Sequence, residues 1–121
     1  MTKAVLLVGH GSRRSEANKA LFELQNYVQL LRPQEYVKVS FMEAAEPDVA
    51  TAISELNSQG KTEITVVPVF LYNGIHITED LPAILDAVKA KHPQLNIKLA
   101  AVLGIDQRLA EIVWERVDAA F

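Results

Sequence analysis

The sequence predicts an α/β fold in which helices cover both faces of one parallel β-sheet. Along the 121 residues, four segments with the pattern of strands alternate strictly with four amphipathic helical segments. Such alternation is typical of parallel strands joined by right-handed crossovers. The first strand, Ala4–Val8, is a continuous apolar run, which indicates burial on both faces. We therefore expect a three-layer α/β/α sandwich with a four-stranded parallel sheet in the order 2-1-3-4.

The first half of the chain contains two of these strands and the helices that follow them. A helix is predicted over Ser15–Leu31, ended by Arg32-Pro33, and a second strand over Tyr36–Met42. Polar and apolar side chains alternate in this strand, which indicates one wetter face and hence an edge position. The second helix is expected to begin near Pro47, because proline fits a first helical turn, and to end before Gly60.

The second half begins with the most apolar segment, Ile64–Leu71, which we expect to be a central strand although Pro68 offers no N–H to a sheet. A third helix is predicted from about Thr78, a fourth strand over Ile97–Leu103 and a last helix from about Asp106. The last helix should bury an apolar stripe and pack Trp114; the stripe consists of Leu109, Ile112, Val113 and Val117. Without a linker or an internal repeat, residues 1–121 are expected to form a single domain.

Composition excludes several classes of function. The net charge is −3, which argues against a nucleic-acid-binding protein. There is no cysteine, so any metal must be held by histidine, carboxylate or backbone oxygen. The apolar run at the N-terminus is too short for a signal peptide, and no later run approaches the roughly 20 residues that span a bilayer. We therefore expect a cytoplasmic protein that has no membrane partner.

Two histidines follow strands that are neighbours in the predicted sheet. His10 lies in the loop after the first strand, and His76 lies in the loop after the third. The strand order reverses between these two strands, and open parallel sheets bind ligands at that point. Imidazole is a ligand for iron, cobalt and nickel, and its free pKa of about 6.5 suits a general base. Either histidine alone is typical of an ordinary loop, whereas the pair predicts a metal or catalytic site.

Other interpretations of these residues are weaker. The segment 9–12 resembles a phosphate-binding loop only superficially, because it lacks the lysine and spacing of a P-loop and the three glycines of a dinucleotide site. A receiver-type domain is disfavoured because His10 stands where an acidic cluster would follow the first strand. His92 precedes Pro93 at a helix end, where a structural role is favoured.

Four charged residues follow strands at the same predicted edge of the sheet. Glu43 and Glu46 follow the second strand, and their spacing alone favours a solvated loop with one charge near a helix N-terminus. Arg13 and Arg14 open a helix, where the helix dipole disfavours positive charge. This basic pair therefore fits a site for an anionic ligand, with a solvated surface pair as the alternative.

Several short motifs, taken together, resemble the small sirohydrochlorin chelatases. These are the short, CbiX-type cobaltochelatases of cobalamin synthesis, which are close to the sirohydrochlorin ferrochelatases of sirohaem synthesis. No single motif is specific, but their order and spacing are, and the resemblance covers essentially the whole chain. The motifs are Val8–Arg13, Phe41–Glu43 with Glu46-Pro47, Val67–Leu71 with Gly74–His76, Glu79–Pro82 and Leu103–Asp106.

The resemblance implies a class II, ATP-independent chelatase with a chelatase-like, flavodoxin-like fold, which inserts a divalent ion, Co²⁺ first among them, into sirohydrochlorin. It implies that His10 binds the metal and accepts protons, that His76 is a second metal ligand, and that Glu43 supports them. Substrate contacts are implied for Glu46, Leu71, Tyr72, Asn73, Gly74, Ile75 and His76. The solvated-loop interpretation of the glutamates gives way to this one. A homodimer without a permanent cofactor is implied as well, the metal being a substrate.

Two alternatives remain open at this point. Histidine and carboxylate do not discriminate among Co²⁺, Fe²⁺ and Ni²⁺, so a ferrochelatase or nickelochelatase has the same expected ligands. A non-catalytic carrier of a tetrapyrrole or a metal would also need the same pocket. Sirohydrochlorin carries many carboxylates, and charge alone makes Arg13 and Arg14 candidate partners for them.

Overall fold

A computed structural model of the chain describes residues 2–121. Over this range, strands and α-helices alternate, and a π-helical turn, His76–Asp80, precedes the third helix. No helix in residues 2–121 combines the length and apolar character needed to cross a membrane. The elements are β1 Lys3–Gly9, α1 Ser15–Leu31, β2 Val37–Phe41, α2 Val49–Ser58, β3 Glu63–Pro68, α3 Leu81–Lys91, β4 Asn96–Leu99 and α4 Gln107–Ala120.

The strands form one parallel sheet in the order β2-β1-β3-β4, which confirms the predicted topology. The carboxyl ends of β1 and β3 are adjacent, because Val8 is paired with Pro68. β2 lies at an edge, as predicted, but its polar face is not wet throughout. Ser40 is fully buried, and its hydroxyl donates to the Leu7 carbonyl at 3.3 Å. A buried hydroxyl is tolerated when it has such a partner, so alternation overstated the exposure of this strand.

Packed side chains cover both faces of the sheet and hold the strands rigid. Leu21 of α1 packs on one face, in a smaller cluster with Leu7, Val37, Val39 and Phe41. α2 and α3 pack on the other face, in a larger cluster that includes Leu6, Val8, Ile53, Leu56, Val66 and Leu81. Burying one such side chain contributes about 1.5–3 kcal/mol. The three-layer α/β/α prediction is confirmed, and the loops at the carboxyl edge start from fixed strand ends.

The third and fourth strands end earlier than the sequence predicted. β3 ends at Pro68 instead of Leu71, and β4 ends at Leu99 instead of Leu103. Proline is acceptable as the last residue of β3, because the next backbone N–H, that of Val69, donates to the Val8 carbonyl at 2.8 Å. The apolar residues beyond both strand ends therefore form loops at the carboxyl edge of the sheet.

Two helices begin at positions that differ from the predicted ones. Pro47 lies before α2, after a cis peptide bond, and Asp48 caps the helix by accepting from the Thr51 N–H at 2.7 Å. Hydrogen bonds from the Thr51 backbone and then from its hydroxyl hold the pKa of Asp48 below its usual value. The third helical segment begins before Thr78, because the π-helical turn already starts at His76.

α4 does not bury the apolar stripe that the sequence predicted for it. The helix contains no buried residue, and Trp114, which was expected to pack, is 66% exposed. Leu109 is half-buried, whereas Ile112, Val113 and Val117 are exposed. The prediction was wrong because an amphipathic pattern identifies an apolar face of a helix but not the surface that covers it.

Candidate metal centre

The loop after β1 carries His10 and is fixed by a continuation of the β1–β2 pairing. Beyond the strand ends, the Met42 N–H donates to the Gly9 carbonyl at 2.9 Å, and the Glu43 N–H donates to the His10 carbonyl at 3.0 Å. Both bonds join backbone groups, so they do not depend on the surrounding side chains. The backbones of His10 and Glu43 are thereby held side by side at the carboxyl edge of the sheet.

Gly11 allows the loops after β1 and β2 to approach each other this closely. Its φ is +95°, a conformation that L side chains rarely adopt. A Cβ atom at this position would also collide with the carbonyl oxygen of Glu43. Glycine at position 11 is therefore required by the backbone path and by the space available.

The loop after β1 is also tied to the first turn of α1 through Asn18. The Asn18 Oδ1 accepts from the Ser12 N–H at 2.9 Å, and the Asn18 Nδ2 donates to the Ser12 carbonyl at 2.8 Å. One amide side chain thus satisfies both backbone groups of Ser12. Sequence analysis missed Asn18, because a bond between a side chain and the backbone six residues away leaves no recognisable motif.

His76 is the first residue of the π-helical turn that follows β3. The Leu81 N–H donates to the His76 carbonyl and closes the turn. The buried side chain of Ile77 anchors the turn to the core, and the Thr78 N–H and hydroxyl both donate to the Gly74 carbonyl. Turns of this kind are frequent at functional sites. Asp80, the last residue of the turn, lies 2.9 Å from His76, measured from Oδ2 to Nδ1.

Three side chains converge at the carboxyl edge. The Nε2 atom of His10 lies 3.3 Å from Nε2 of His76 and 3.3 Å from Oε1 of Glu43. One ligand atom from each residue falls within 4.8 Å of the others. Two ligands about 2.1 Å from one metal are about 3.4 Å apart in tetrahedral geometry and about 3.0 Å apart when cis in an octahedron. The two separations of 3.3 Å from Nε2 of His10 therefore suit neighbouring ligands of one divalent transition-metal ion.

The outer ring nitrogens determine which atoms face this centre. Nδ1 of His10 lies 3.1 Å from the Gly11 carbonyl, and Nδ1 of His76 lies 2.9 Å from the carboxylate of Asp80. The carboxylate of Asp80 only accepts, so this hydrogen bond holds the ring hydrogen of His76 on Nδ1 and leaves a lone pair on Nε2. His10 has an acceptor at each ring nitrogen, the Gly11 carbonyl at Nδ1 and the Glu43 carboxylate at Nε2. A cation at the centre would be held by Nε2 of both rings and by the carboxylate.

The centre is open to water on one side. The side chains of His10, Glu43 and His76 are 47%, 58% and 41% exposed. Phe70 lies beside His10 in an edge-to-face contact, with ring centroids 6.5 Å apart. Three protein ligands and an open side leave coordination positions for water or for a second ligand, which is typical of reactive rather than purely structural metal sites.

The other residues predicted for the site lie in the loops that carry the three ligands, and none of them belongs to the ligand group itself. Glu46 is exposed and lines a cavity of about 630 Å³ together with Glu43. Within residues 2–121, the guanidinium groups of Arg13 and Arg14 have no ion-pair partner, and both residues are exposed. The loop that leads to His76 is also exposed and consists of Leu71, Tyr72, Asn73, Gly74 and Ile75.

Two surfaces beside the centre were not predicted. On the α1 side, a cavity of about 420 Å³ borders His10 and has mainly apolar walls, formed in part by Leu21, Leu24, Phe41 and Val69. Beside the loop after β3 runs the loop after β4, because the Gly104 N–H donates to the Phe70 carbonyl at 3.0 Å. This second loop exposes Leu103 and Ile105. A flat apolar ligand over the centre would therefore meet apolar surface from several loops.

The fold and the centre define a class of protein: a three-layer α/β domain with a histidine–carboxylate metal centre where the strand order reverses. The sequence-family model described as CbiX matches residues 4–120. The chain therefore belongs to the CbiX family, which confirms the resemblance found in its motifs.

Relatives within this family cover the chain almost completely. It is 34% identical, over 96% of its own length and 95% of the relative's, to a protein of Methanosarcina acetivorans named sirohydrochlorin cobaltochelatase. It is 30% identical to the sirohydrochlorin ferrochelatase of Bacillus subtilis, over 97% of this chain but 45% of that protein. The crystal structure of the sirohydrochlorin chelatase SirB from Bacillus subtilis subspecies spizizenii in complex with cobalt aligns with a TM-score of 0.90 and 28% identity, covering 98% of this chain and 51% of that one.

Proposed function

We propose that this chain is an ATP-independent chelatase that inserts a divalent metal ion into sirohydrochlorin, and that this ion is Co²⁺. The observation that carries the proposal is the convergence of His10, Glu43 and His76 at one exposed edge, with spacings that suit one metal ion. The name of the Methanosarcina acetivorans relative, which matches along nearly its full length, supports both the substrate and the metal.

The exposure of the three ligands supports a metal that passes through the centre. A structural metal site is closed by protein ligands, whereas this one is open to solvent on one side. An open side lets a hydrated ion arrive, lose part of its water and be transferred to a second set of ligands. A tetrapyrrole lying over the edge would offer that second set through its ring nitrogens.

Insertion also requires that two N–H protons leave the macrocycle. We assign their first acceptor to His10, whose Nε2 faces the centre, with Glu43 as the next acceptor at 3.3 Å. An imidazole that gives up its metal as the ion enters the ring regains a free lone pair for a proton. His76 acts in this scheme as a ligand that holds the ion in position.

The surroundings of the centre suit a broad, flat and anionic molecule. The exposed loop 71–75 offers apolar and aromatic surface for the macrocycle, and the exposed Glu46 lines a cavity together with Glu43. The guanidinium groups of Arg13 and Arg14, which form no ion pair with the residues that the structure describes, are available to carboxylate side chains of the substrate. We therefore keep these residues as substrate contacts in the proposal.

A homodimer of the single domain, residues 1–121, belongs to the same proposal, as does a cytoplasmic location. The exposed apolar stripe of α4 supports the homodimer, because an uncovered amphipathic helix favours association. The Bacillus subtilis relative is about twice as long, so a second copy would supply the missing length. Val113→Lys should dissociate the dimer in sedimentation velocity at micromolar concentration, whereas Asp118→Lys, on the polar face of the helix, should not. A monomeric wild-type protein with full activity would contradict this part.

Iron is the specific alternative metal, because the Bacillus subtilis relative is named a ferrochelatase. The ligand set does not choose between the ions, and nickel has the same preference for imidazole. The preferred metal is therefore identified by comparing the insertion rates of the three ions, because the ligand types are the same for all of them.

The function is tested by mixing the purified protein anaerobically with sirohydrochlorin and Co²⁺, Fe²⁺ or Ni²⁺ in separate reactions and following the absorption spectrum. We expect insertion above the spontaneous rate and beyond one equivalent of protein, fastest with Co²⁺. The His10→Ala/His76→Ala double variant is the control. Binding of metal or tetrapyrrole without any acceleration would contradict the enzyme and indicate a carrier.

A further inference from the structure

We propose that Asp80 is a positioning residue, which fixes the tautomer and the orientation of His76 so that Nε2 points at the metal. This inference rests on the proposed function for its metal. Asp80 lies outside the group of three ligands, and its proposed task is to hold the ring hydrogen of His76 on Nδ1.

The first step is the hydrogen bond itself. Oδ2 of Asp80 lies 2.9 Å from Nδ1 of His76, and the carboxylate can only accept. The ring hydrogen is therefore held on Nδ1, on the side away from the centre. The opposite nitrogen, Nε2, is left with a free lone pair and lies 3.3 Å from Nε2 of His10. A carboxylate behind a metal-binding histidine also strengthens the ring as a ligand.

The second step is the backbone that brings the two side chains together. His76 and Asp80 are the first and last residues of the π-helical turn, so they stack about one turn apart. Leu81, the next residue, is fully buried in the core and begins α3. Asp80 is thus attached to a rigid helix, whereas the loop 71–75 before His76 is exposed. The carboxylate transmits the rigidity of α3 to the ring of His76.

The third step is the difference between the two histidines. Nδ1 of His10 lies 3.1 Å from the carbonyl of Gly11, the next residue in a loop that backbone bonds already hold in place. The ring of His76 has a charged side chain, the carboxylate of Asp80, as the partner of its Nδ1. Removing that side chain should therefore affect His76 and leave His10 unchanged.

The experiment compares Asp80→Ala and Asp80→Asn with Glu79→Gln, a matched change at the exposed neighbouring residue, in the 121-residue chain. Co²⁺ affinity is measured without tetrapyrrole, by competition with a chromophoric chelator. We expect Asp80→Ala to bind Co²⁺ about 10- to 100-fold more weakly, the usual effect of losing such a partner. Asp80→Asn, which keeps an acceptor oxygen without the charge, should lie between, and Glu79→Gln should match the wild type.

A second readout needs no metal at all. Long-range ¹H–¹⁵N spectra of the metal-free protein report which ring nitrogen of His76 carries the hydrogen. The wild type and Glu79→Gln should show Nδ1–H, and Asp80→Ala should show a mixture of tautomers, with His10 unaltered. An unchanged tautomer together with unchanged Co²⁺ affinity would overturn the inference. If the wild type binds no Co²⁺, the proposed function fails, and the spectra still decide the role of Asp80; if Asp80→Ala does not fold, Asp80→Asn decides it.

Discussion

The loops that carry His10 and His76 reach the same point by different physical means. The loop after β1 is held by backbone hydrogen bonds to the loop after β2 and by the amide of Asn18. The loop after β3 is exposed over residues 71–75, and the ring of His76 is oriented by the carboxylate of Asp80. His10 is therefore held in place by backbone bonds at the edge of the sheet, whereas the ring of His76 is oriented by a side chain. This difference favours His10 for the step that demands fixed geometry and His76 for ligation.

The largest expected effect comes from removing the two imidazoles in turn. His10→Ala should lower the insertion rate by about 10²–10⁴-fold at saturating metal, the usual loss for a general base. His76→Ala should chiefly weaken metal binding, because water can replace one ligand of several, and excess metal should partly restore its rate. Metal titrations of both variants in the chelatase assay measure the difference. If His76→Ala is inactive at saturating metal and His10→Ala is rescued, the roles are reversed.

A smaller effect, that of Gly11→Ala, tests whether backbone contacts fix the conformation of the loop that carries His10. Gly11→Ala forces a Cβ into the Glu43 carbonyl at a φ of +95°, so the two loops must separate. The left-handed conformation alone costs about 1–2 kcal/mol, and a displacement of about 1 Å at the centre can cost about 10²-fold in rate. Gly11→Ala should therefore unfold at a lower temperature and insert metal more slowly than the wild type, which thermal unfolding and the chelatase assay measure.

The control for that variant is Gly60, which precedes β3 at the opposite edge of the sheet. Its φ is +81°, and the space around its Cβ position is open. Gly60→Ala should therefore lose stability through its left-handed backbone but keep an insertion rate close to wild type. Equal losses of rate in Gly11→Ala and Gly60→Ala would show that backbone strain, and not the contact with Glu43, matters.

The alternation of strands and helices limited the possible topologies, because crossovers are right-handed. The apolar first and third strands and the alternating second strand then predicted the sheet order. It also predicted that His10 and His76 would meet, since the switch point follows from that order. The strand ends were less predictable: Ile64–Leu71 is mostly apolar, yet the strand ends at Pro68. Hydrophobicity marks the segment, whereas backbone hydrogen bonding decides where the strand ends.

The candidate site was predictable where it rests on motifs and unpredictable where it rests on contacts. Glu43 joins the centre because the backbone pairing continues past β2, a feature that no spacing rule encodes. Asp80 lies in the Glu79–Pro82 motif, but that motif does not indicate that its carboxylate accepts from His76, four residues earlier. Asn18 bonds to the backbone of Ser12, six residues earlier, and no motif includes it. The stripe of α4 was recognised correctly as apolar, but amphipathicity cannot reveal what covers it.

The smallest expected effect concerns the loop that carries Glu43, which ends at the cap of α2. Asp48→Ala removes the hydrogen bond from the Thr51 N–H and should lower the free energy of unfolding by about 1 kcal/mol at pH 7. The folded-state pKa of Asp48 is lowered, so this contribution is present above the unfolded pKa of about 3.9 and is lost as the pH falls through the folded value. The gap between Asp48→Ala and wild type should therefore close in acid.

Asp48→Asn is the control for this last effect, because asparagine caps helices about as well but does not titrate in this range. Its stability should match the wild type at pH 7, and its cap should not weaken in acid. Chemical unfolding at pH 7 and at pH 3 measures all three proteins. The insertion rate of Asp48→Ala should stay near wild type, because Glu43 is held by its backbone bond to His10 and not by the cap. A loss of activity comparable to that of Gly11→Ala would show that the glutamate loop depends on α2, and that only the His10 side of the centre is built into the sheet.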